Sequence, residues 1–169
     1  MLKRGDIVFI DTNSIAAAHA ARAWGAVRGG FKLRTAVICL EEATRPDRHG
    51  RILVNKTVPE LAAELDARQV DDAMRFHLVE KLGDTIVLDA GERDLIALAL
   101  AHGREVWCFC GPDKAALRAL HYIGWSDRMV SLEEMMQLVG LSPKGLEPVQ
   151  TKRWLGEKRT KLKLGDSLI

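Results

Sequence analysis

Acidic side chains follow four short apolar segments of the chain. They are Asp11 after IVFI, Glu41 and Glu42 after TAVICL, Glu92 and Asp94 after TIVL, and Asp113 after VWCFC. The carboxyl ends of parallel strands lie along one edge of a sheet, so these acids are expected to meet there. Neighbouring carboxylates repel one another unless they are protonated or neutralised, and Mg²⁺ or Mn²⁺ prefers such oxygen ligands. The spacing therefore predicts a carboxylate cluster that binds a divalent cation.

Each acid also has an ordinary structural explanation when it is taken alone. Asp11 is suited to cap the helix after the first strand, and Glu41 and Glu42 favour a helix N-terminus through the macrodipole. Glu92 stands three residues after Asp89, which is the spacing of a capping box. Only the expected convergence of all four positions on one edge favours a metal site over four separate helix starts.

The elements that must position these acids alternate between strand-like and helix-like patterns. Strands are predicted at 7–10, 35–40, 85–88 and 105–110, with a short fifth strand at 127–130. Helices are predicted at 13–27, at two places after a capping box at Thr57, and at 91–103, 112–121 and 131–139. This alternation predicts an α/β fold with three α/β/α layers around a mostly parallel sheet of four to five strands.

Composition limits the class of protein. A length of 169 residues suits one full domain, and 47% apolar residues are enough to bury a core. No apolar run reaches the roughly 18 residues of a membrane span, so no membrane partner is expected. The three cysteines all fall in predicted strands, which favours reduced thiols and a cytoplasmic location over disulfides. The Cys108–Cys110 alternation suits a strand better than a metal site.

The basic residues are concentrated at the C-terminus. Residues 151–169 carry six Lys or Arg against two acids, although the whole chain has a net charge of only +2. We expect a domain over 1–140 followed by a basic extension over 141–169. Lys152, Arg153 and Trp154 suit contacts with the phosphates and bases of RNA. A solvated arm, or a segment packed on the body of the protein, explains the same composition.

Four segments together resemble the motifs of the PIN-domain nucleases, a group that includes VapC-like toxins and other metal-dependent ribonucleases. They are FIDTNSI, LEEA, GERDLIALA and GPDKAAL, within about residues 6 to 139. The resemblance rests on their order, spacing and strand context. It implies a PIN-like fold and hydrolysis of phosphodiester bonds in single-stranded RNA with one or two Mg²⁺ or Mn²⁺ ions. Such ions would bind the phosphate and lower the pKa of an attacking water.

The resemblance also assigns roles to residues. It implies that the catalytic metal ligands are Asp11, Glu42, Asp94 and Asp113, with Glu41 and Glu92 as further candidates. Asn13 and Ser14 would shape the first loop of the site. One position departs from the pattern: many family members have Thr or Ser two residues before the fourth acid, where this chain has Gly111. A hydroxyl that would orient a water or a phosphate is therefore missing at this position.

A carboxylate pocket needs basic neighbours to attract RNA. The candidates near the second and fourth acids are Arg45, Arg48, Arg51, Lys56 and Lys114. The resemblance further implies a homodimer, and it is compatible with a toxin that has an antitoxin partner. Two other functions stay open: a catalytically weak or inactive PIN-like module that binds RNA or protein, and a small-molecule phosphatase.

Overall fold

The central feature of the fold is a four-stranded, all-parallel sheet. The computed structural model describes residues 2–47, 49–83, 86–103 and 105–166. Its strands are β1 (Ile7–Ile10), β2 (Lys32–Ala36), β3 (Asp66–Arg68) and β4 (Trp107–Cys110), in the order β3-β2-β1-β4. Each adjacent pair is parallel, so the carboxyl ends of all four strands share one edge. The predicted α/β class is confirmed.

Helices connect and cover these strands. They are α1 (Thr12–Ala20), α2 (Trp24–Gly30), α3 (Val37–Thr44), α4 (Val58–Ala62), α5 (Asp72–Leu82), α6 (Ala90–Ala101), α7 (Lys114–Tyr122), α8 (Leu132–Leu138) and α9 (Lys152–Lys163). The capping boxes expected at Thr57 and Asp89 are present, each with a glutamate three residues later that returns a hydrogen bond. These caps satisfy backbone N–H groups at the helix starts.

Alternation along the strands produces two cores, one on each face of the sheet. In β1, Val8 and Ile10 enter one core and Phe9 enters the other. In β4, Cys108 and Cys110 face the first side while Trp107 and Phe109 face the second. Successive side chains of a strand point to opposite faces, so both faces need a covering layer. Residues of α1, α2 and α8 supply the first and residues of α5, α6 and α7 supply the second.

The second strand is displaced from its predicted position. The expected strand at 35–40 is wrong in most of its length, because β2 ends at Ala36 and α3 begins at Val37. The apolar run VICL has strand-like composition, but in α3 it buries Cys39, Leu40 and Ala43 at helical spacing. Glu41 and Glu42 therefore lie inside a helix rather than just beyond a strand.

The third strand is also misplaced in the sequence prediction. The described residues of the expected strand at 85–88, which are 86–88, belong to no strand, and Thr85 is outside the described residues. Ile86 and Leu88 pack against the core while Val87 is 88% exposed. The third strand is instead Asp66–Arg68, which pairs with β2 through Arg34 and Asp66. Pairing with β2, rather than strand propensity, selects this polar segment.

Two smaller differences concern helix 13–27 and the fifth strand. The predicted helix is divided into α1 and α2, and Arg22 between them has a positive φ of 55° that a continuous helix does not allow. At 127–130, only Met129 forms a single parallel bridge with Phe109, and Ser126–Arg128 is one 3-10 turn. Within the described residues the sheet therefore has four strands.

The basic C-terminal segment folds onto the domain. It contains a 3-10 turn over Pro148–Gln150 and then α9, whose Leu155 and Leu162 are buried in the same core as Phe9. Arg159 donates hydrogen bonds to the backbone carbonyls of Ser126 and Met129. Of the two explanations considered for this segment, packing on the body is the one observed. No helix within the described part of the chain is both long and apolar enough to cross a bilayer.

Candidate acidic site at the carboxyl edge

Asp11 directly follows β1 and begins α1. Its carboxylate accepts a hydrogen bond of 2.7 Å from the backbone N–H of Ser14, so it caps the helix as expected. The residue is only 7% exposed. Burial raises the pKa of Asp11 to about 7, the hydrogen bonds from Ser14 oppose that rise, and the charges of Asp113 and Asp89 add to it. Metal-free Asp11 is thus a carboxyl group close to half-protonated at neutral pH.

Glu42 reaches the same edge from the second turn of α3. Its Oε2 accepts a hydrogen bond of 2.8 Å from Thr12 Oγ1, which links α3 to the first residue of α1. A Cβ atom on Gly91 would stand 2.5 Å from Glu42 Oε2, so a side chain there would make the Glu42 carboxylate move. Partial burial is the main cause that raises the pKa of Glu42, and the charge of Asp89 contributes. Glu41, one residue earlier, pairs with Arg45 at 3.1 Å.

The starts of α6 and α7 bring three further carboxylates to this edge. Asp89 caps α6, and Asp113 caps α7 by accepting a hydrogen bond of 2.5 Å from the N–H of Ala115. Burial, followed by a hydrogen bond with Asp113, raises the pKa of Glu92 to about 8. We call this cluster of carboxylates the acidic edge: Asp11, Glu42, Asp89, Glu92 and Asp113.

Asp94 has a different environment, because an arginine neutralises it. Arg75 of α5 donates from Nε to Oδ1 at 2.9 Å and from Nη2 to Oδ2 at 2.7 Å, which is a bidentate pair. Arg93 approaches the same carboxylate at 3.4 Å. Burial acts to raise the pKa of Asp94, but the hydrogen bonds and charge of Arg75 outweigh it and hold that pKa below its usual value. Asp94 is therefore ionised and paired with the guanidinium group of Arg75.

Gly111 lies at the closest approach between β4 and Asp11. A Cβ atom at Gly111 would stand 2.8 Å from Phe109 Cε1 and 3.3 Å from Asp11 Cγ. Real Cβ atoms do not approach a ring carbon so closely, so a Ser or Thr side chain would displace Phe109 or Asp11. The absence of the hydroxyl at Gly111 has a steric cause in this packing.

The donor set of the acidic edge suits a hard cation. All five side chains offer carboxylate oxygens, which are the ligands that Mg²⁺ and Mn²⁺ prefer. The raised pKa values of Asp11, Glu42 and Glu92 show that ionising the edge is costly without a cation. Within the described ranges, no three acidic, histidine or cysteine side chains already stand close enough to hold an ion together. Ligation would require these flexible side chains to turn inward.

Most of the basic residues predicted for RNA contact are engaged by carboxylates. Arg51 pairs with Asp47 at 3.0 Å and Lys56 pairs with Glu64 at 2.7 Å, like the Arg45–Glu41 pair. Arg48 lies outside the described residues. Lys114 is exposed beside Asp113. Lys114 therefore stands beside the acidic edge, while Arg45, Arg51 and Lys56 would have to exchange their present partners.

The predicted contacts of α9 differ from one another. Lys152 is exposed, and Arg153 pairs with Glu157 at 2.9 Å. Trp154 is half-buried and packs against the core, with Lys158 Nζ 5.8 Å from its ring centroid. Only part of the indole ring is thus accessible for stacking.

Asn13 and Ser14 lie on opposite sides of the first turn of α1. Asn13 is exposed and, together with Asp113, lines a cavity of about 470 Å³. Ser14 is buried, and its Oγ lies 3.4 Å from Oε1 of Gln150. The C-terminal segment therefore contacts the loop that carries Asp11.

Sequence reasoning missed two residues of this region. Asp89 was recognised only as a cap, although a cap on a helix start at this edge is also close to the other acids. Arg75 has a weaker signal: it precedes Leu78 and Leu82 by three and seven residues, which places it on the buried stripe of α5. An arginine on a buried stripe requires an acidic partner, but spacing alone does not identify Asp94.

Comparisons with known proteins add no assignment. No protein-family model matches this chain, and no curated protein matches it. The acidic edge and its surroundings are therefore interpreted from their own chemistry.

Proposed function

We propose that the protein is a Mg²⁺- or Mn²⁺-dependent endoribonuclease that hydrolyses phosphodiester bonds of single-stranded RNA at the acidic edge. The observation that carries the proposal is the arrival of five carboxylates from four helices at one edge, where burial raises the pKa of Asp11 to about 7 and that of Glu92 to about 8. Helix capping explains an acid at each helix start separately, but it does not require acids from four helices to lie at the same edge. Neighbouring carboxylates repel one another when they are ionised, and a divalent cation would relieve that repulsion.

The residues divide into those suited to hold a cation and those suited to support them. Asp11, Glu42 and Asp113 would be the ligands, and Glu92 and Asp89 stand next to them. When bound, the cation would lower the pKa of a water and stabilise the charge of a phosphate. Thr12 orients Glu42, and the N–H of Ser14 orients Asp11. Burial and the neighbouring Asp113 raise the pKa of Glu92 and so favour its protonated form in the absence of a cation. Asp94 would join the ligands only after leaving Arg75.

RNA is the proposed substrate because exposed basic groups, one beside this edge and one on α9, suit a phosphate chain. Lys114 stands beside Asp113, and Lys152 lies on α9 in the exposed part of the C-terminal segment. An acidic pocket without a cation repels phosphate, so we expect RNA binding near Asp113 to depend on both the cation and these lysines. A cytoplasmic location, a homodimer and an antitoxin partner belong to the same proposal, and they rest on the PIN-domain resemblance alone.

A metal-dependent cleavage assay tests the proposal. Purified protein is incubated with a mixed pool of single-stranded RNA in Mn²⁺, in Mg²⁺ and in chelator, and Asp11→Asn is the test variant. We expect cleavage with either metal, none in chelator, and a loss of at least about a hundredfold in rate for Asp11→Asn. Asp127→Asn is the matched control, because that side chain is 87% exposed and pairs with Lys163. Equal rates for both variants would contradict the proposal.

A second function is favoured by the Arg75–Asp94 pair and by Gly111. An internal arginine that occupies a candidate ligand, and a glycine that excludes a hydroxyl, are features expected of a PIN-like module that binds RNA or protein without cleaving it. Retention of RNA in Mn²⁺ with no turnover would support this alternative. Release of phosphate from nucleotide monophosphates, without cleavage of oligomers, would instead indicate a phosphatase.

A further inference from the structure

A cavity next to Asp113 of the acidic edge is formed by four parts of the chain that are distant in sequence. Its volume is about 470 Å³, within the range of small-molecule sites. One wall is α1, which contributes Ala16 and Ala20, and the facing wall is the C-terminal segment, which contributes Leu146 and Glu147. Asp113 lies in its lining as well. The cavity thus opens onto the acidic edge and depends on the C-terminal segment for one side.

The chemistry of the lining excludes some ligands and favours others. Among the described residues, the charged groups of the lining are Asp113 and Glu147 with no Lys or Arg, so these groups would repel a phosphate. The alanines and Leu146 form apolar walls against which a flat ring can pack. Carboxylates accept hydrogen bonds from the amino groups of bases, as they do from cytosine N4. A neutral heteroaromatic ring with an exocyclic amino group therefore complements the cavity.

Gln150 supplies an independent observation. Its side chain is 4% exposed and lines the cavity, with Oε1 held 3.4 Å from Ser14 Oγ. Among the described residues, no hydrogen-bond partner is found for its amide nitrogen. Its amide nitrogen is not among the fully buried atoms that lack a partner, so the donor keeps access to solvent at the cavity wall and can donate to a ligand with acceptor atoms. Cytosine, adenine and guanine each offer ring or carbonyl acceptors next to an amino group.

We propose that this cavity binds one nucleobase of the substrate, and that it selects bases with an exocyclic amino group over uracil. The inference rests on the proposed ribonuclease function for its biological meaning, but the cavity can be tested apart from catalysis. Glu147 accepts the hydrogen bond of the amino group, Gln150 donates to a base acceptor, and Ala20 lies against the ring. The sugar and phosphates extend out of the open side of the cavity, away from its two acids.

Cytidine and uridine are the appropriate probes, because they differ mainly in an amino group against a carbonyl and carry no phosphate. Binding to the full chain is measured by NMR titration in chelator, where no cleavage takes place. We expect saturable shifts with cytidine and an affinity at least about fivefold higher than for uridine, as one discriminating hydrogen bond supplies. Glu147→Gln should reduce that ratio to near one. Equal affinities for the two nucleosides, or no saturation with either, would overturn the proposal.

A matched pair of variants separates the cavity from general effects of added bulk. Ala20→Leu fills the cavity, whereas Ala26→Leu adds the same atoms at an exposed position of α2 outside it. We expect Ala20→Leu to weaken cytidine binding at least about fivefold, the loss expected for one stacked base, and Ala26→Leu to leave it unchanged. Equal losses in both variants would refute the location of the site.

The cleavage assay in Mn²⁺ keeps the two proposals distinguishable. Cytidine preference in chelator without RNA cleavage in Mn²⁺ would support the base site and refute the nuclease. Cleavage that depends on Asp11, together with equal nucleoside affinities, would support the nuclease and refute the base site.

Discussion

The Arg75–Asp94 pair permits a quantitative test of how the acidic edge is stabilised. The Asp94 side chain is 4% exposed and that of Arg75 is 35% exposed, so one partner is buried and the other reaches solvent. Breaking a fully buried pair costs roughly 3–5 kcal/mol and breaking an exposed pair costs about 0–1 kcal/mol. Between these limits, Arg75→Met should lower the free energy of unfolding by about 2 kcal/mol at pH 7. In a chain of this size the melting temperature should fall by roughly 4–8 °C.

A double-mutant cycle assigns this loss to the unpaired carboxylate. Asp94→Asn in the Arg75→Met background removes the charge left without a partner, so it should recover more than half of the lost stability. The pH dependence of the free energy of unfolding provides a second test of the pair. Because Arg75 holds the pKa of Asp94 low, the stabilisation by the pair is present above the unfolded pKa and is lost as pH falls through the folded pKa. In Arg75→Met, burial without the arginine raises the pKa of Asp94 above its value in the parent, so the variant protonates that carboxylate first as pH falls. The deficit of Arg75→Met should therefore shrink between pH 7 and pH 4.

The assay is urea unfolding at both pH values, with Arg45→Met as the control. Arg45 is 70% exposed and pairs with Glu41 at 3.1 Å, so its loss should cost less than about 1 kcal/mol. A deficit for Arg75→Met no larger than that of Arg45→Met, or one that grows toward pH 4, would refute the reasoning. If Asp94 is a metal ligand in the working site, Mn²⁺ should also stabilise Arg75→Met more than the parent protein, because the cation no longer competes with arginine.

Three other predictions concern the surroundings of the acidic edge. Gly111→Ala should lower the free energy of unfolding by about 1–3 kcal/mol in urea, because the new Cβ meets Phe109 and Asp11; an unchanged midpoint would contradict this. Leu162→Ala should cost about 2–3 kcal/mol, whereas Leu164→Ala, at 81% exposed, should cost less than about 0.5 kcal/mol; similar losses would contradict the packing of α9. Metal-free protein should lose stability as pH rises from about 4 to 7, because the folded state holds a proton on Asp11, whose pKa is about 7 against an ordinary 3.8. Asp11→Asn should flatten this dependence by a few kcal/mol in melts across that range; a parallel curve for both proteins would contradict the assignment.

The parts of the fold that the sequence predicts well are those in which several local signals agree. In α6, a capping box at Asp89, an apolar helical run and a glycine at the end of the helix all indicate the same element. Strands β1 and β4 combine apolar composition with alternation between two buried faces. Such agreement between levels makes a local interpretation reliable.

The errors occur where tertiary pairing decides between local alternatives. The segment VICL has the composition of a strand, yet it packs as a helix because β2 is already complete at Ala36. The polar segment Asp66–Arg68 has no strand pattern, yet it forms a strand because it pairs with the outer edge of β2. For the candidate site, positions after predicted strands identified Asp11 and Asp113. Glu42 was also identified, although it arrives on a helix. The partner of Asp94 depends on the contact between α5 and α6, which no local pattern encodes.

The order of strands determines when the acidic edge can form during synthesis. Strand β4 pairs with β1 across 100 positions, as between Ile10 and Cys110, and Asp113 lies beyond that pairing. Closing so long a loop is slow, and it requires about two thirds of the chain to have been made. Until then a nascent chain can form only the pairs among β1, β2 and β3, with an unpaired edge on β1. When β4 pairs with β1, it covers that edge against association with other chains. The same pairing brings Asp113 to the edge of the sheet that carries Asp11.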